Sequence, residues 1–403
     1  MKSAVIVFVS VLIGFSSCTI QKENFHQTTF VQNDSMPYLV VLSMDGFRWD
    51  YPDTFPTPNL NKVRAQGLRA KSIIPSFPTI TFPNHYTLAT GLYPENHGIV
   101  HNDFYNPLLN ATFNPADARF YLGEPIWVTA QKQQMMTANY FWIGSNVPIQ
   151  GMHPTYWKKC VGTNTFEQRI DTVVYWLSLP SDVRPHLIMF YMEEPDLTGH
   201  SYGPFSSKTR SMVMRLDSLV GDLLDKTKSL PISNRLNFVF TSDHGMENVN
   251  QNNEIFLNQY IKSNWYIRTT GGSPSLMIDP VPGYTDSIIS HLSKVPHLSV
   301  WKKSDVPGCL HFNTNPNIGQ IVVLADSTYL INWSDFVKEA GSHGYDNRNT
   351  DMHAIFYAMG PAFQNGIFPS FRNVDFYPLM SYILKLSPVK TDGDFEEVRL
   401  MVK

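Results

Sequence analysis

The sequence contains little cysteine: Cys18, Cys160 and Cys309 are the three in a chain of 403 residues. No Cys-x-x-Cys spacing occurs, which argues against a metal site built from thiolates alone. In an oxidising compartment Cys160 and Cys309 could pair, and free buried thiols are the alternative that the sequence leaves open. Cysteine therefore supplies neither a metal site nor an assured cross-link.

Charge is also scarce. Asp, Glu, Lys and Arg make up 16% of the residues, the formal net charge is −3, and no long basic run occurs. Because binding to a phosphate backbone needs clustered Lys and Arg, we expect no nucleic-acid scaffold as a partner, and nothing predicts a protein partner. A small anionic substrate remains possible if metal ions supply positive charge. The 43% of hydrophobic residues indicates a folded globular protein.

The first 18 residues are typical of a signal peptide and not of the fold. Lys2 supplies a positive start, and the apolar stretch 4–15 that follows is too short to span a bilayer comfortably. Small residues precede Cys18, as in a bacterial lipoprotein signal, so we expect export to the periplasm or outer membrane with a lipid anchor at Cys18. Ordinary secretion is the alternative, because Phe15 is a poor residue three positions before cleavage. Residues 19–36 are polar and predict a flexible tether.

Strands and helices alternate along the rest of the chain, which predicts an α/β fold with a mostly parallel central sheet flanked by helices. Apolar runs predict buried strands, and three of these runs are followed at once by carboxylates. Ligands collect at the carboxyl ends of strands in such sheets, so we expect Asp45, Asp196 and Asp243 along one edge. The predicted strands are Tyr38–Met44, 186–192, Leu236–Thr241 and 354–359, and the predicted helices are 60–67, 208–229 and 376–386.

The segment 251–339 differs, because it is rich in Pro, Gly, Ser and Asn and contains only short β-like runs. We interpret it as a small cap subdomain inserted into a catalytic domain that covers 37–390. Residues 391–403 are expected to form a C-terminal tail.

Four short constellations carry residues suited to metal chemistry. Asp196 and His200 are four apart, and Asp243 and His244 follow a strand directly, so each pair could reach one metal ion. A loop histidine between glycines at 343 could approach a metal closely. Each of these has an ordinary structural explanation by itself.

The fourth constellation lies around Thr81, just before Pro83. Pro83 suits the first turn of a helix, which places Thr81 at or near the N-cap. Capping explains a threonine there without any chemistry. The same position offers unpaired backbone N–H groups that bind phosphate, and a metal ion could activate the hydroxyl as a nucleophile.

Taken together, these motifs resemble the nucleotide pyrophosphatase/phosphodiesterase family of the alkaline phosphatase superfamily. The resemblance spans about residues 39 to 386 in family order. The motifs that carry it lie at 44–48 (MDGFR), 81–86 (TFPNHY), 90–95, 97–99, 123–127, 193–196, 199–204, 242–247 and 341–347.

The resemblance implies an alkaline-phosphatase-like fold and a hydrolase with two zinc ions per chain. It also implies a covalent intermediate on Thr81 and phosphate contact by the side chain of Asn102. One zinc would be held by Asp45, Thr81, Asp243 and His244, and the other by Asp196, His200 and His343.

The substrate implied by the resemblance is a nucleotide whose base lies against Phe82 and a downstream tyrosine. An ungapped reading puts Cys160 at that tyrosine position, and Tyr156 and Trp157 are the nearby aromatic residues that could replace it. Trp142 and Tyr191 match pocket-lining positions of the family. The alternatives are choline or glycerophospho head groups as substrates, or a phosphomonoesterase on the same fold. A non-enzymatic binding protein is disfavoured because every family ligand is present.

Overall fold

The computed structural model describes residues 36–159, 164–250, 252–334 and 339–403. The predicted signal peptide with Cys18, and also Cys160, lie outside these ranges. Cys309 is exposed and forms no disulfide bond with another described residue. Within the described ranges, no helix is both long and apolar enough to cross a lipid bilayer.

The described elements are twenty strands and ten α-helices. The strands are β1 (Tyr38–Met44), β2 (Leu68–Ala70), β3 (Ile73–Ile74), β4 (Tyr105–Asn106), β5 (Ala111–Thr112), β6 (Thr137–Tyr140), β7 (Tyr156–Lys158), β8 (Leu187–Met192), β9 (Leu236–Thr241), β10 (Glu247–Asn248), β11 (Glu254–Phe256), β12 (Tyr266–Gly272), β13 (Ser275–Pro280), β14 (Leu298–Lys302), β15 (Ile321–Ala325), β16 (Leu330–Asn332), β17 (Gly341–Ser342), β18 (Phe356–Met359), β19 (Gly366–Phe368) and β20 (Phe371–Arg372). The helices are α1 (Tyr51–Thr54), α2 (Pro58–Gln66), α3 (Thr81–Thr90), α4 (Pro94–His97), α5 (Ile126–Lys132), α6 (Phe166–Ser178), α7 (Asp196–Tyr202), α8 (Ser207–Thr227), α9 (Thr285–Leu292) and α10 (Phe376–Ile383).

Eight strands form the main sheet in the order β19-β2-β18-β9-β1-β8-β6-β7. Within this sheet only β18 runs against the others, being antiparallel to both β9 and β2. The predicted α/β fold with a mostly parallel sheet is therefore confirmed. The seven predicted helices and strands are all present, with ends that differ by a few residues.

The central strand β1 explains why the main sheet is buried on both faces. Leu39 and Val41 pack into one hydrophobic core and Val40 and Leu42 into another, because successive side chains point to opposite faces. Helix α3 packs on the first face and α8 on the second. A parallel strand covered by helices on both sides has to be continuously apolar, as β1 is.

Residues 254–333 contain a second sheet, antiparallel, in the order β12-β13-β15-β14. It has its own hydrophobic core with helix α9. This sheet lies within the segment expected to form an inserted cap. Within 391–403, the segment expected to form a C-terminal tail, Val398 and Met401 are buried in the main core, and Val402 bridges to Phe363.

Candidate metal centre and nucleophile

The site lies at the carboxyl ends of three neighbouring strands. β9, β1 and β8 are adjacent and parallel, with Ser43 of β1 aligned with Thr241 and Tyr191. Asp45 directly follows β1, and Asp243 follows β9 by two residues. Asp196 begins helix α7 after β8. The strand order, not the sequence order, therefore brings the three carboxylates to one edge.

A glycine permits the close approach of β1 to helix α7. Gly46 has a positive φ of 65°, and a Cβ atom there would lie 3.0 Å from the Cα atom of Asp196. The N–H of Asp196 donates to the carbonyl of Asp45 at 3.1 Å, and the N–H of Gly46 donates to Asp243 Oδ1 at 3.3 Å. A side chain at position 46 would push these three acidic residues apart.

The first group of possible ligands gathers around Asp243. Its Oδ2 atom lies 3.0 Å from His244 Nε2 and 3.2 Å from His85 Nδ1. Asp45 Oδ1 lies 3.4 Å from the same His244 Nε2. Asp45, His85 and Asp243 are close enough together to hold one metal ion.

The second group gathers around Asp196. His200 Nε2 and His343 Nε2 both lie 3.5 Å from Asp196 Oδ1, and the rings of His244 and His343 stack 3.6 Å apart. Asp196, His244 and His343 form the second set that could hold an ion. The resemblance assigned His244 to the other ion. Its Nε2 atom lies beside both groups, so the distances fit either assignment.

Backbone carbonyls orient the three imidazoles. Nδ1 of His200 lies 2.9 Å from the carbonyl oxygen of Gly341, Nδ1 of His244 2.8 Å from that of Gly245, and Nδ1 of His343 2.8 Å from that of Thr79. When Nδ1–H donates to a carbonyl, the lone pair of Nε2 is available for a metal ion. All three Nε2 atoms face the carboxylates.

The carboxylate oxygens are the strongest sign that cations belong here. Within the described part of the chain, Asp45 Oδ1, Asp196 Oδ1 and Asp243 Oδ2 are buried and accept no hydrogen bond. Buried charged oxygens left in this state are costly, and metal coordination is one of the few ways to compensate them. Three carboxylates and three imidazoles suit two divalent ions of borderline hardness such as zinc.

The electrostatics of the protein alone point the same way. Burial raises the pKa of Asp45 well above its usual value, and the charges of Asp243 and Asp196 raise it further. Burial opposes ionisation of Asp243 as well, but His244 and His85 outweigh it and hold the pKa of this carboxyl well below its usual value. Burial lowers the pKa of His343, which favours the neutral, metal-binding imidazole.

Thr81 and Asn102 lie beside this cluster. Thr81 is the first residue of α3, half-buried, with Oγ1 3.2 Å from His244 Nε2. Asn102 is exposed, and its Oδ1 accepts a hydrogen bond of 2.9 Å from the N–H of Phe82. Because Oδ1 of Asn102 already accepts this hydrogen bond, the group that the side chain can present to a phosphate is its amide NH2.

Three of the expected substrate-binding aromatics lie around helix α3. Phe82 is half-buried, edge-on to Phe113. Trp142 is fully buried, and its indole N–H donates to the carbonyl of His85 at 3.0 Å. The hydroxyl of Tyr191 donates to Asp45 Oδ2 at 2.5 Å. Of the three, Phe82 is next to Thr81 in the chain. Trp142 and Tyr191 instead donate hydrogen bonds to His85 and Asp45.

The structure does not bring Tyr156 and Trp157 to this cluster. They lie on β7, the outermost strand, three strands away from β1. The hydroxyl of Tyr156 donates to Val183, which precedes β8 and so lies at the opposite end of the sheet from Asp196. Trp157 stacks on His153. These positions argue against either residue as the replacement stacking partner.

His85 is the site residue that the sequence reasoning missed. It lies within the motif 81–86, four positions after Thr81 on the same face of α3, and this spacing was the available signal. Its Nδ1 lies 3.0 Å from the carbonyl of Thr81, and its Nε2 lies 2.9 Å from Ser43 Oγ. It therefore links helix α3 to β1.

Comparison with known proteins agrees with this geometry. Residues 39–346 match the family described as type I phosphodiesterase/nucleotide pyrophosphatase. The chain is 37% identical over 387 residues to ectonucleotide pyrophosphatase/phosphodiesterase family member 1 of Homo sapiens, covering 91% of this chain and 42% of that protein. It is 36% identical over 383 residues to the venom phosphodiesterase of Naja atra, covering 91% and 46%. The chain thus spans under half the length of these curated relatives.

Solved structures show the same fold over the whole of their chains. Murine ectonucleotide pyrophosphatase/phosphodiesterase 5, in an inactive threonine-to-alanine form with AMP, superposes with a TM-score of 0.88 at 34% identity, covering 91% of this chain and 100% of that one. The human counterpart gives a TM-score of 0.87 at 34% identity, with the same coverage. The chain belongs to the type I phosphodiesterase/nucleotide pyrophosphatase family of the alkaline phosphatase superfamily.

Proposed function

We propose that this protein is an exported two-zinc hydrolase that cleaves phosphodiester or pyrophosphate bonds of nucleotides through a covalent intermediate on Thr81. The observation that carries the proposal is the trio of buried, unpartnered carboxylate oxygens on Asp45, Asp196 and Asp243 beside the Thr81 hydroxyl. The relatives are named as nucleotide pyrophosphatases and phosphodiesterases, which supports the reaction class.

We assign the metal ligands as the resemblance does. Asp45, Thr81, Asp243 and His244 would hold one ion, and Asp196, His200 and His343 the other. Bound zinc ions would lower the pKa of the attacking hydroxyl and offset negative charge on the phosphate. The imidazoles enter this arrangement already oriented by their carbonyl partners.

Groups of the protein itself attack the phosphorus atom and bind the phosphate oxygens. Thr81 Oγ1 gives up its proton and bonds to phosphorus as the bond to the leaving oxygen breaks, and the leaving oxygen takes up a proton from solvent. Water then hydrolyses the ester on Thr81, which releases the nucleoside monophosphate and restores the Thr81 hydroxyl. The non-bridging oxygens meet the amide NH2 of Asn102 at the start of α3, where the helix dipole favours negative charge. The N–H of Phe82 is not available to them, because it donates to Asn102 Oδ1. Holding these oxygens matters most as their charge grows in the transition state.

For the substrate we favour a nucleotide. Phe82 is half-buried next to Thr81, where it can meet a base, and a related structure holds AMP. Stacking on one aromatic ring contributes about 1–3 kcal/mol. Trp142 and Tyr191 would act behind the pocket, through His85 and Asp45, not against the base.

The domain boundaries and the cellular location belong to the same proposal. A catalytic domain over 37–390, with an insert over 251–339, would follow a signal segment and a tether. The relatives named as ectoenzymes and venom enzymes support export. A lipid anchor at Cys18 would be the only contact with a membrane.

The proposal is tested on the leaderless protein by zinc analysis and by turnover of a nitrophenyl phosphodiester, with and without a chelator. We expect about two zinc ions per chain, activity lost on chelation and restored by zinc. The matching monoester should be cleaved more slowly than the diester. A purified protein that is folded, binds no zinc and turns over neither ester would contradict the proposal.

A substrate panel separates the nucleotide from the alternatives. ATP, a dinucleoside polyphosphate, a cyclic dinucleotide and glycerophosphocholine should be compared by kcat/KM. We expect a nucleotide to lead. If glycerophosphocholine leads, the reaction class stands and the substrate assignment is wrong.

A further inference from the structure

The hairpin between β12 and β13, which belongs to the second sheet, reaches across to the segment that carries Asn102. The N–H of Gly271 donates to the carbonyl of Asp103 at 2.9 Å. This hydrogen bond is made by the residue that directly follows Asn102, so it fixes the main chain at one side of the proposed phosphate donor.

The residue on the other side of Asn102 is also held by the hairpin. His101 is buried, and a Cβ atom on Gly271 would lie 3.1 Å from its Cδ2 atom and 3.2 Å from its Nε2 atom. Gly271 also has a positive φ of 79°, a backbone conformation that is strained for residues other than glycine. The imidazole can therefore rest against the hairpin only because position 271 has no side chain.

The same hairpin touches a second part of the site. Pro274 lies 3.0 Å from where a Cβ atom on Gly344 would be, and Gly344 follows the metal-ligand candidate His343. The side chain of Asn102 is meanwhile fixed to the start of α3 by the N–H of Phe82. The Asn102 segment is thus clamped between the nucleophile's helix and a hairpin from another sheet.

We propose that Gly271 is a positioning residue for the reaction: the β12–β13 hairpin sets the place of the Asn102 amide relative to Thr81. The inference rests on the proposed function, in which Asn102 holds a phosphate oxygen. Because a displacement of about 1 Å in a catalytic group can cost about 100-fold in rate, a small shift of the hairpin is enough to matter.

The test is a double-mutant cycle on the zinc-loaded protein, with the nitrophenyl phosphodiester as substrate. Gly271→Ala should lower kcat/KM by about 10- to 100-fold. In an Asn102→Ala background the same change should cost less than about twofold, because the group it displaces is already gone. Gly272→Ala is the matched control: it lies in the same hairpin with no atom within 4 Å of its added Cβ, and should leave the rate unchanged.

The outcomes separate this inference from the function on which it rests. Equal losses from Gly271→Ala in both backgrounds, or a loss in Gly272→Ala of the same size, would overturn the positioning role and leave the phosphodiesterase intact. No loss in Asn102→Ala alone would remove the donor role of Asn102, and the inference with it. If Gly271→Ala does not fold by thermal melting, His101→Ala takes its place in the cycle, with the same expected dependence on Asn102.

Discussion

Two buried carboxylates in this protein differ in what surrounds them. Asp217 of helix α8 accepts hydrogen bonds from the N–H groups of Leu60, at 2.8 Å, and Asn59, at 3.0 Å, at the start of α2. Asp45, at the end of β1, has one oxygen bonded to Tyr191 and another with no hydrogen-bond partner in the described residues. Both are almost completely buried, and burial raises the pKa of both.

This difference in hydrogen bonding distinguishes a carboxylate with a structural role from one suited to binding a ligand. Asp217 is compensated by N–H groups at a helix start, where a negative charge is favourable. Asp45 instead faces Asp243 and Asp196, which raise its pKa still further. A fold that holds three such carboxylates together is less stable unless cations are bound. The uncompensated charge at Asp45 therefore predicts a bound ligand, whereas the hydrogen-bonded carboxylate of Asp217 does not.

The largest effect should come from Thr81, the proposed nucleophile, which lies beside the group of acidic residues. Thr81→Ala removes the hydroxyl 3.2 Å from His244, and we expect kcat to fall by at least about 10⁴-fold with the melting temperature little changed. Thr81→Ser keeps a hydroxyl and serves as the control, with a measurable rate. Steady-state assays on the nitrophenyl phosphodiester decide the matter, and a Thr81→Ala enzyme of near wild-type rate would rule out the covalent intermediate.

The next effect tests the comparison itself by exchanging each carboxylate for an amide. Asp45→Asn should lower kcat by about 10³-fold, because a metal ligand supplies several kcal/mol of stabilisation. In the metal-free protein it should raise the free energy of unfolding, since a repelled carboxylate is removed. Asp217→Asn should leave kcat within about twofold and lower the free energy of unfolding by about 1–3 kcal/mol, because an amide NH2 then faces an N–H donor where a carboxylate oxygen accepted.

Urea unfolding of the metal-free variants and activity of the zinc-loaded ones separate the two carboxylates. The comparison fails if Asp45→Asn destabilises the metal-free protein as much as Asp217→Asn does. It also fails if Asp217→Asn lowers kcat as strongly as Asp45→Asn.

The smallest effect concerns the hydrogen bond that the side chain of Asp45 accepts from Tyr191. Tyr191→Phe removes the hydroxyl that orients Asp45, and we expect zinc affinity to fall by about 10- to 100-fold, as for other groups that position metal ligands. Tyr156→Phe is the control, because its hydroxyl binds Val183 at the opposite end of the sheet. Competition with a zinc chelator measures both, and equal affinities in the two variants would show that Tyr191 does not support the metal site.

Much of the site could be read from the sequence because its residues follow strands whose type the sequence determines. The strands before Asp45 and Asp243 are buried at every residue and mostly apolar, as two-sided burial favours, and parallel neighbours end at one edge. The antiparallel direction of β18 and the second hydrophobic core around β13 were not predicted. Strand direction there depends on which strands become neighbours, and the sequence alone does not state this.

The position of Tyr156, away from the acidic cluster, has a similar cause. Nearness in sequence to the expected stacking position suggested a role, but side chains of a strand alternate in direction and this one faces helix α6, with its ring against Trp176. His85 was overlooked for the opposite reason. Its distance to Asp243 arises from the packing of α3 on β1, which joins residues far apart in the chain.

The sequence by itself determined the chemical types of the site residues and the secondary structure that carries them. These are apolar strands followed by carboxylates, a helix starting at Thr81, and histidines in glycine-flanked turns. These follow from periodicity and turn chemistry within a few residues. Only the tertiary structure decided which groups meet. Strand order set the three carboxylates side by side, each with one buried oxygen that accepts no hydrogen bond from the described residues. The docking of a hairpin from a second sheet set Gly271 against the Asn102 segment. Such contacts are long-range packing results that no local pattern encodes.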